Sequence, residues 1–273
     1  MTAQGNTLGY VPSKSQALKG RNNTVKYAVI ADIHANLPAL QAVRNDIATQ
    51  RCDAVVCLGD LVGYYSEPKE CVDIIRQMNI PCVKGNHDEY CSSPDTLSGF
   101  NPKAEEGVRW TRQQLTDDDA QWLASLPLVE EVDGFTIVHA TLEGPHRWGY
   151  VFDKLAAAAS LQLQKTDVCF FGHTHVPVAF VRDSSVRGGT YSKFKVEAGR
   201  KYFINPGSVG QPRDGCPKAS YVVYDAGAKT VELRRVEFDK PGSDGSAPVG
   251  TGPKPKPSLS GSAGGVPDYD HRD

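Results

Sequence analysis

The chain has 273 residues, which is the size of one large domain or two small ones. Lys and Arg total 30 against 32 Asp and Glu, so the formal net charge of −2 lacks the positive excess that is typical of nucleic-acid-binding domains. With 40% hydrophobic and 8% aromatic residues, the composition predicts a globular core and excludes a chain that is disordered throughout.

The order of elements along the chain indicates an α/β fold. Short β-rich apolar runs first alternate with helical patterns, and strands alone follow. In chain order, the pattern predicts a strand at 27–31, a helix at 37–49, a strand at 54–58, a helix at 68–78 with a Ser66 cap, a short strand at 81–83, helices at 103–114 and 117–125, a strand at 135–138, a helix at 152–163, a strand at 168–171 and a meander of strands over 177–238. The sheet system is therefore expected to become antiparallel late.

Both ends of the chain differ in composition from its centre. Residues 1–24 are polar, and residues 240–273 are rich in Gly, Pro and Ser. Such segments bury too little apolar surface to offset the entropy of ordering them. We predict one domain over residues 25–239, between a disordered N-terminal segment and a disordered C-terminal tail.

The sequence also bears on the cellular setting. No apolar run approaches the roughly 20 residues that span a bilayer, and residues 1–21 show no apolar core of a secretory signal. The seven cysteines form no Cys-x-x-Cys pair, and several lie inside apolar runs. We therefore expect no membrane association and a reducing, cytoplasmic setting.

Metal-type ligands follow five of the predicted strands. The runs are, in order, Asp32-Ile33-His34, Gly59-Asp60, Lys84-Gly85-Asn86-His87-Asp88, His139 and Gly172-His173-Thr174-His175. In open α/β sheets, ligands bind beyond the carboxyl ends of the strands, so we expect these side chains to meet at one edge. Each run alone is an ordinary polar strand end or turn, but that interpretation would have to hold at five separate places.

The candidate metal ligands are two carboxylates, one carboxamide and four imidazoles: Asp32, Asp60, Asn86, His34, His139, His173 and His175. This set of oxygens and nitrogens suits Mn, Fe, Zn, Ni or Co, and we favour Mn. Seven ligands exceed the need of one tetrahedral metal, so we predict two divalent ions that share a bridging carboxylate. Such a pair activates a water and clamps the attacking and leaving oxygens of a phosphoryl displacement.

Four further residues are candidates for catalysis or substrate binding. His87 can protonate the leaving group, and Asp88 can orient that ring. Arg213 can bind a phosphate oxygen, or it is a surface arginine beside Asp214. Asn36 can donate a hydrogen bond to a phosphate, or it caps the helix that follows it.

A polar and aromatic stretch comes shortly after the fourth ligand run. Its members are His146, Arg147, Trp148 and Tyr150. They can stack on a nucleobase, since aromatic faces accept any base, or they form a loop packed on the domain.

In their order, the ligand runs resemble the successive motifs of the calcineurin-like metallophosphoesterase superfamily over about residues 26–215. The resemblance implies two facing mixed β-sheets flanked by helices. It implies a first ion bound by Asp32, His34 and His175. It implies a second ion bound by Asn86, His139 and His173, with Asp60 as the bridge. It also implies that His87 donates a proton or stabilises the transition state.

Within that superfamily, the flanking residues resemble the small prokaryotic phosphodiesterases. The matching segments are Asp32-Ile-His-Ala-Asn36-Leu, Gly59-Asp-Leu-Val-Gly-Tyr64 and Asn205-Pro-Gly-Ser-Val-Gly-Gln-Pro-Arg-Asp214. Serine/threonine protein phosphatases of the superfamily usually carry Asp-Arg-Gly after Gly-Asp and a Glu after Asn-His. This chain has Val62-Gly63-Tyr64 and Asp88 in those places, which counts against phosphoprotein substrates.

We predict a dinuclear metal-dependent phosphodiesterase in which a metal-bound hydroxide attacks phosphorus in line and the alcohol leaves protonated. The alternative is a phosphomonoesterase, including a serine/threonine protein phosphatase. A metal-free scaffold is less favoured, because the ligand set is intact. We expect a small phosphoester substrate, with nucleotides among the candidates, and no stable nucleic-acid partner. The sequence does not determine the oligomeric state.

Overall fold

The computed structural model describes residues 25–93, 97 and 102–239. The helices of these residues are α1 (Leu37–Thr49), α2 (Pro68–Met78), α3 (Asn86–Ser92), α4 (Pro102–Gln114), α5 (Asp117–Ser125) and α6 (Lys154–Leu163). Their strands are β1 (Lys26–Ile30), β2 (Ala54–Cys57), β3 (Val129–Val132), β4 (Phe135–Val138), β5 (Val168–Phe170), β6 (Val178–Arg182), β7 (Val186–Gly189), β8 (Lys193–Lys195), β9 (Lys201–Asn205), β10 (Ala219–Asp225) and β11 (Thr230–Val236). The two predicted disordered ends, 1–24 and 240–273, lie outside the described residues.

The strands form two mixed sheets. The first has the order β2-β1-β10-β11-β8, in which β1 and β2 are parallel and the other neighbours are antiparallel. The second has the order β3-β4-β5-β9-β6-β7, in which β4, β5 and β9 are parallel. Parallel neighbours need a crossover rather than a tight turn, and α1 and α6 supply it for β1–β2 and β4–β5.

Three apolar clusters separate the layers of the fold. Tyr27 and Val29 of β1 pack with Phe170 of the second sheet, between the two sheets. Ala28 and Ile30, on the opposite face of β1, pack with α1 and α2. The third cluster joins α6 to the second sheet. Because β1 is buried on both faces, its sequence is continuously apolar instead of alternating.

The predicted fold class, an α/β arrangement of two facing mixed sheets flanked by helices, is confirmed. The sequence pattern does not predict β3 or α3. Strand β3 contains only two apolar residues and lies at the edge of its sheet, so it carries no apolar run. Helix α3 begins on the polar ligand run itself, at Asn86.

Two local predictions are wrong. The predicted strand at 81–83 is a single bridge between Cys57 and Cys82, which is too short to form a ladder. Ser66 does not cap α2: the helix follows Glu67, and the Ser66 hydroxyl instead donates to the Glu67 carboxylate at 2.8 Å. Among the helices that the structure describes, none combines the length and apolar character needed to cross a membrane.

The ligand-bearing loops come from both sheets, and not from one edge as the sequence suggests. β1 and β2 end side by side in the first sheet, and β4 and β5 do so in the second. Backbone bonds tie neighbouring loops together, with the Asp32 N–H on Gly59 O (3.1 Å) and the Gly172 N–H on His139 O (2.7 Å). The His173 N–H donates to Asp32 Oδ1 at 3.1 Å and so joins the two pairs across the sheets.

Candidate metal centre

Polar side chains from the ends of these strands form two donor groups. The first donor group consists of Asp32, His34, Asp60 and His175, and the second of Asp60, His139 and His173. Within each group, all ligand atoms lie within 4.8 Å of one another, and every member is buried. The amide oxygen of Asn86, 3.2 Å from His139 Nε2, adds a neutral oxygen beside the second group. The structure thus brings together all seven residues that the sequence predicts as ligands.

The carboxylate of Asp60 belongs to both groups. Its Oδ1 accepts the backbone N–H of His87 at 2.9 Å. Its Oδ2 lies 3.5 Å from His34 Nε2 and 3.4 Å from His139 Nε2. One oxygen therefore faces the imidazoles of both groups, while the other fixes the start of α3.

Backbone carbonyls orient three of the four imidazole rings through Nδ1. The pairs are His34 with Val62 (3.1 Å), His139 with Leu58 (2.7 Å) and His175 with Gln211 (2.7 Å). A carbonyl oxygen can only accept, so Nδ1 carries the hydrogen and Nε2 of the neutral ring presents its lone pair to the centre. Metal-binding histidines are typically oriented in this way.

Two of these inward-facing nitrogens lie against each other. His34 Nε2 and His175 Nε2 are 3.0 Å apart. Burial lowers the pKa of both rings well below the ordinary range, so neither nitrogen carries a proton at neutral pH. Asp32 Oδ2 and His173 Nε2 are also buried, and neither has a hydrogen-bond partner among the described residues. Facing lone pairs and an orphaned carboxylate oxygen are the surroundings that a cation requires.

Burial and neighbouring charges together shift the pKa values of the other residues in the centre. Burial raises the pKa of Asp32 to about 7. Burial would also raise the pKa of Asp60, but His139 and His87 outweigh it and hold that pKa well below the usual range. Conversely, burial would lower the pKa of His139, but the charge of Asp60 raises it to about 9. A proton on His139 therefore balances the charge of the Asp60 carboxylate.

Several ligand residues have an unusual backbone conformation. Those with φ in the left-handed region are Asp32 (54°), His34 (51°), Asp60 (54°), His173 (68°) and His175 (58°). Each such non-glycine residue costs about 1–2 kcal/mol. Strain of this kind persists where the surrounding structure enforces it, and it clusters at binding sites. Here it allows short turns after the strands to direct several side chains into one crevice.

His87 lies beside the first donor group without belonging to it. Its ring centroid is 4.9 Å from that of His34 and 4.5 Å from that of Tyr64. Its Nδ1 is buried, with no hydrogen-bond partner in the described part of the chain, and burial lowers its pKa. Gly63, with φ +88°, makes room for the ring, because a Cβ there would lie 3.0 Å from His87 Cγ and closer still to Nδ1.

Asp88 does not orient His87, contrary to the sequence-based expectation. Its Oδ2 accepts the N–H groups of Asp60 (2.8 Å) and Gly85 (3.0 Å), and its Oδ1 accepts the Leu61 N–H (2.8 Å). Consecutive side chains on a helix diverge by about 100°, so these two residues of α3 face different surroundings. Asp88 therefore fastens the loop of Asp60 to the beginning of α3.

Asn36 is a helix cap and not a phosphate-binding residue. Its Oδ1 accepts the Ala39 N–H at 3.1 Å, at the beginning of α1. Its Nδ2 donates to Gly210 O at 2.8 Å, and the whole residue is buried. Both ends of the amide thus bond within the protein, and the predicted contact with substrate is corrected accordingly.

Arg213 lies next to the first donor group. Its backbone N–H donates to His175 O at 3.3 Å. Its side chain donates to Gln211 Oε1 at 2.7 Å and to the Tyr64 hydroxyl at 3.2 Å, with the guanidinium carbon 5.6 Å from the Tyr64 ring. The sequence-based candidates do not include Tyr64 or Gln211. An aromatic residue directly after Gly63, in the turn that follows a ligand run, is the signal that points to Tyr64.

Comparison with known proteins places this arrangement in a family. Residues 25–229 match the calcineurin-like phosphoesterase superfamily domain. The chain is 38% identical over 216 residues to an uncharacterized protein of Methanocaldococcus jannaschii, with 78% of this chain and 87% of that one covered. It is also similar to the crystal structure of a metallophosphoesterase from Sphaerobacter thermophilus, with 39% identity, a TM-score of 0.70 and coverage of 80% of this chain and 90% of that one.

A hypothetical protein from Pyrococcus horikoshii OT3 shares the fold at 20% identity and a TM-score of 0.64, with 79% of this chain and 89% of that one covered. The chain belongs to the calcineurin-like phosphoesterase superfamily. The family expected from the ligand runs is confirmed, and a metal-dependent phosphoester hydrolase is the activity that this membership implies.

Proposed function

We propose that this member of the calcineurin-like phosphoesterase superfamily is a dinuclear metal-dependent phosphodiesterase. The observation that carries the proposal is the pair of donor groups joined through Asp60. Within the first group, His34 and His175 direct unprotonated nitrogens at each other across 3.0 Å. Such an arrangement stabilises the fold only when a positive charge lies between the nitrogens.

The donor set fits two divalent ions, and Mn²⁺ is favoured among the metals that nitrogen and oxygen ligands select. The first ion would be held by Asp32, His34 and His175. The second would be held by Asn86, His139 and His173, with Asp60 shared. When bound, such ions lower the pKa of a water molecule and neutralise the charge of a phosphate group.

His87 is the proposed proton donor to the leaving oxygen. The Asp60 carboxylate holds its backbone, and Tyr64 and His34 pack against its ring, so the ring lies beside the donor groups in a fixed position. A backbone carbonyl bonded to Nδ1 holds three of the candidate ligand imidazoles in one tautomer. The Nδ1 of His87 has no such partner among the described residues. The ring is therefore able to hold or release a proton at either nitrogen.

Arg213 is proposed to bind a phosphate oxygen. Bonds to Gln211 and Tyr64 use its Nε and Nη2, and the Nη1 edge is the part proposed to meet the substrate. The segments at 32–37, 59–64 and 205–214, which resemble those of the small prokaryotic phosphodiesterases, support a diester substrate over the alternative of a phosphomonoester.

The proposed substrate is a small phosphodiester, with nucleotides among the candidates. A reducing setting such as the cytoplasm is part of the proposal. All seven cysteines fall within the described residues, and each is a free thiol.

Metal analysis combined with paired substrates tests the proposal. Protein loaded with Mn²⁺ should retain about two ions per chain and should hydrolyse bis(4-nitrophenyl) phosphate faster than 4-nitrophenyl phosphate. Asp60→Asn should lose both ions, whereas Asp117→Asn, which removes an exposed acid from α5, should retain them. A preference for the monoester would favour a phosphomonoesterase. Absence of bound metal and of turnover with every divalent ion would favour a scaffold.

A further inference from the structure

The loop between β4 and α6 places aromatic side chains against the second donor group. Its 3₁₀ turn, Pro145–Arg147, is followed by Trp148, whose ring meets His139 edge-on with centroids 5.8 Å apart. Tyr150 stacks face to face on His173, with centroids 4.1 Å apart and ring planes at 27°. One loop thus brings an aromatic ring to each imidazole of the second donor group.

The stack on His173 continues outward to Phe152. The rings of Tyr150 and Phe152 are parallel to within 4°, with centroids 5.6 Å apart. Between them, Val151 is buried in the cluster beneath α6. Val151 is buried whereas both rings are exposed, so Val151 anchors the segment and the two rings stand on the solvent side. We call His173, Tyr150 and Phe152 the aromatic column.

Two properties of this loop set it apart from ordinary surface. Tyr150 and Phe152 are 39% and 59% exposed, whereas the other Phe, Trp and Tyr rings of the described residues are buried or half-buried. In addition, Trp148 has φ +53°, a left-handed conformation that is a genuine outlier for a bulky residue. Exposed parallel rings and enforced strain beside a binding centre are features of a ligand site.

We propose that the aromatic column receives the nucleobase of a nucleotide phosphodiester whose phosphate lies at the donor groups. The column begins at a candidate metal ligand and ends at an exposed ring, so it offers a stacking surface that adjoins the site of reaction. A base stacks on such rings whatever its hydrogen-bonding pattern, and this predicts preference for nucleotides over plain esters without strong base specificity. The inference rests on the proposed function and names its substrate class.

Ligand binding tests the column separately from hydrolysis. Adenosine 5′-monophosphate and ribose 5-phosphate share the phosphate and the sugar, and only the first has a base. By calorimetry on Mn²⁺-loaded protein, we expect the nucleotide to bind about tenfold more tightly, within the range of about five- to 150-fold that stacking supplies. Phe152→Ala should remove most of that preference while leaving ribose 5-phosphate binding unchanged. Leu155→Ala, which removes an exposed apolar side chain from the start of α6, should have no effect on either ligand.

Equal affinities for the two ligands, no measurable binding of the nucleotide, or an undiminished preference in Phe152→Ala would overturn the inference. A Phe152→Ala variant that weakens both ligands equally and changes the oligomeric state would assign the exposed rings to an interface between chains and also overturn it. If the nucleotide preference follows the column but no ester is hydrolysed, the proposed function fails and the binding inference stands. If diesters are hydrolysed but the nucleotide is not preferred, the binding inference fails and the proposed function stands.

Discussion

Gly63→Ala should displace the proposed proton donor without touching a candidate metal ligand. A Cβ at Gly63 would lie 3.0 Å from His87 Cγ and closer to Nδ1, whereas ordinary contact begins at 3.4 Å. The ring must therefore swing away by roughly 1 Å, and a misplacement of about 1 Å at a reacting group is able to reduce turnover by about 100-fold. Because φ is +88°, alanine adds backbone strain of about 1–2 kcal/mol.

The assay compares two esters that differ in their need for a proton. Bis(4-nitrophenyl) phosphate releases a stable phenolate, whereas a nucleoside 2′,3′-cyclic phosphate releases an alkoxide that must be protonated. Turnover of the cyclic ester by Gly63→Ala should fall by about 100-fold, within the range of about 10²–10⁴ that a general acid contributes, and turnover of the nitrophenyl ester should fall much less. Metal content should be unchanged.

Gly134→Ala is a matched control for the strain. Gly134 has the same φ of +88°, in the turn between β3 and β4, and its Cβ would meet nothing within 4 Å. This variant should lose similar stability and keep full turnover. In a His87→Ala background, Gly63→Ala should cost little further activity, because the ring it displaces is gone. A full additional loss in that background, or equal losses on both esters, would refute the assignment of His87 as proton donor.

Three further variants test separate parts of the structure. Asp60→Asn should reduce turnover by at least about 100-fold. It should also lower the melting temperature of metal-loaded protein, since binding of both ions stabilises the fold. Elemental analysis measures the loss of metal, and thermal unfolding measures the change in melting temperature. Asn36→Ala should cost about 1–2 kcal/mol of stability through loss of the cap of α1 and should leave KM unchanged. A raised KM at unchanged stability would instead support the hypothesis that Asn36 contacts the phosphate. Tyr221→Phe should lower the free energy of unfolding by about 1.5–3 kcal/mol, because the Tyr221 hydroxyl donates to the Asp46 carboxylate at 2.6 Å. Urea titration measures this loss. An unchanged free energy of unfolding would show that Arg234 alone satisfies Asp46.

Apolar patterns predict the buried elements of this fold well and the polar ones poorly. The helices α1, α2, α4 and α5 and four of the five strands predicted before the ligand runs, β1, β2, β4 and β5, agree with the sequence pattern, because each buries an apolar face or run. Helix α3 carries no such pattern: it begins with Asn86 and is held at its start by the Asp88 carboxylate. Its position depends on contacts with a distant loop, which no local pattern encodes.

The same distinction separates the site residues. The residue types after the strands are sufficient to predict the seven candidate ligands, because imidazoles and carboxylates at successive strand ends are rarely needed for packing alone. Asn36 and Asp88 carry equally suitable chemistry, but in the structure their polar atoms meet backbone groups of the protein. Whether a polar side chain meets a backbone N–H or a ligand depends on which loops pack together.

The sequence by itself determined the candidate ligand types, their order along the chain and the α/β alternation that delivers them. Only the tertiary structure decided that two sheets, and not one edge, supply the candidate ligands, that Asp60 is shared between two donor groups, and that His34 and His175 face each other. These features depend on distances between residues up to 141 positions apart in the chain. Such distances arise when the apolar faces of the sheets pack together, which fixes the loops at their ends in space.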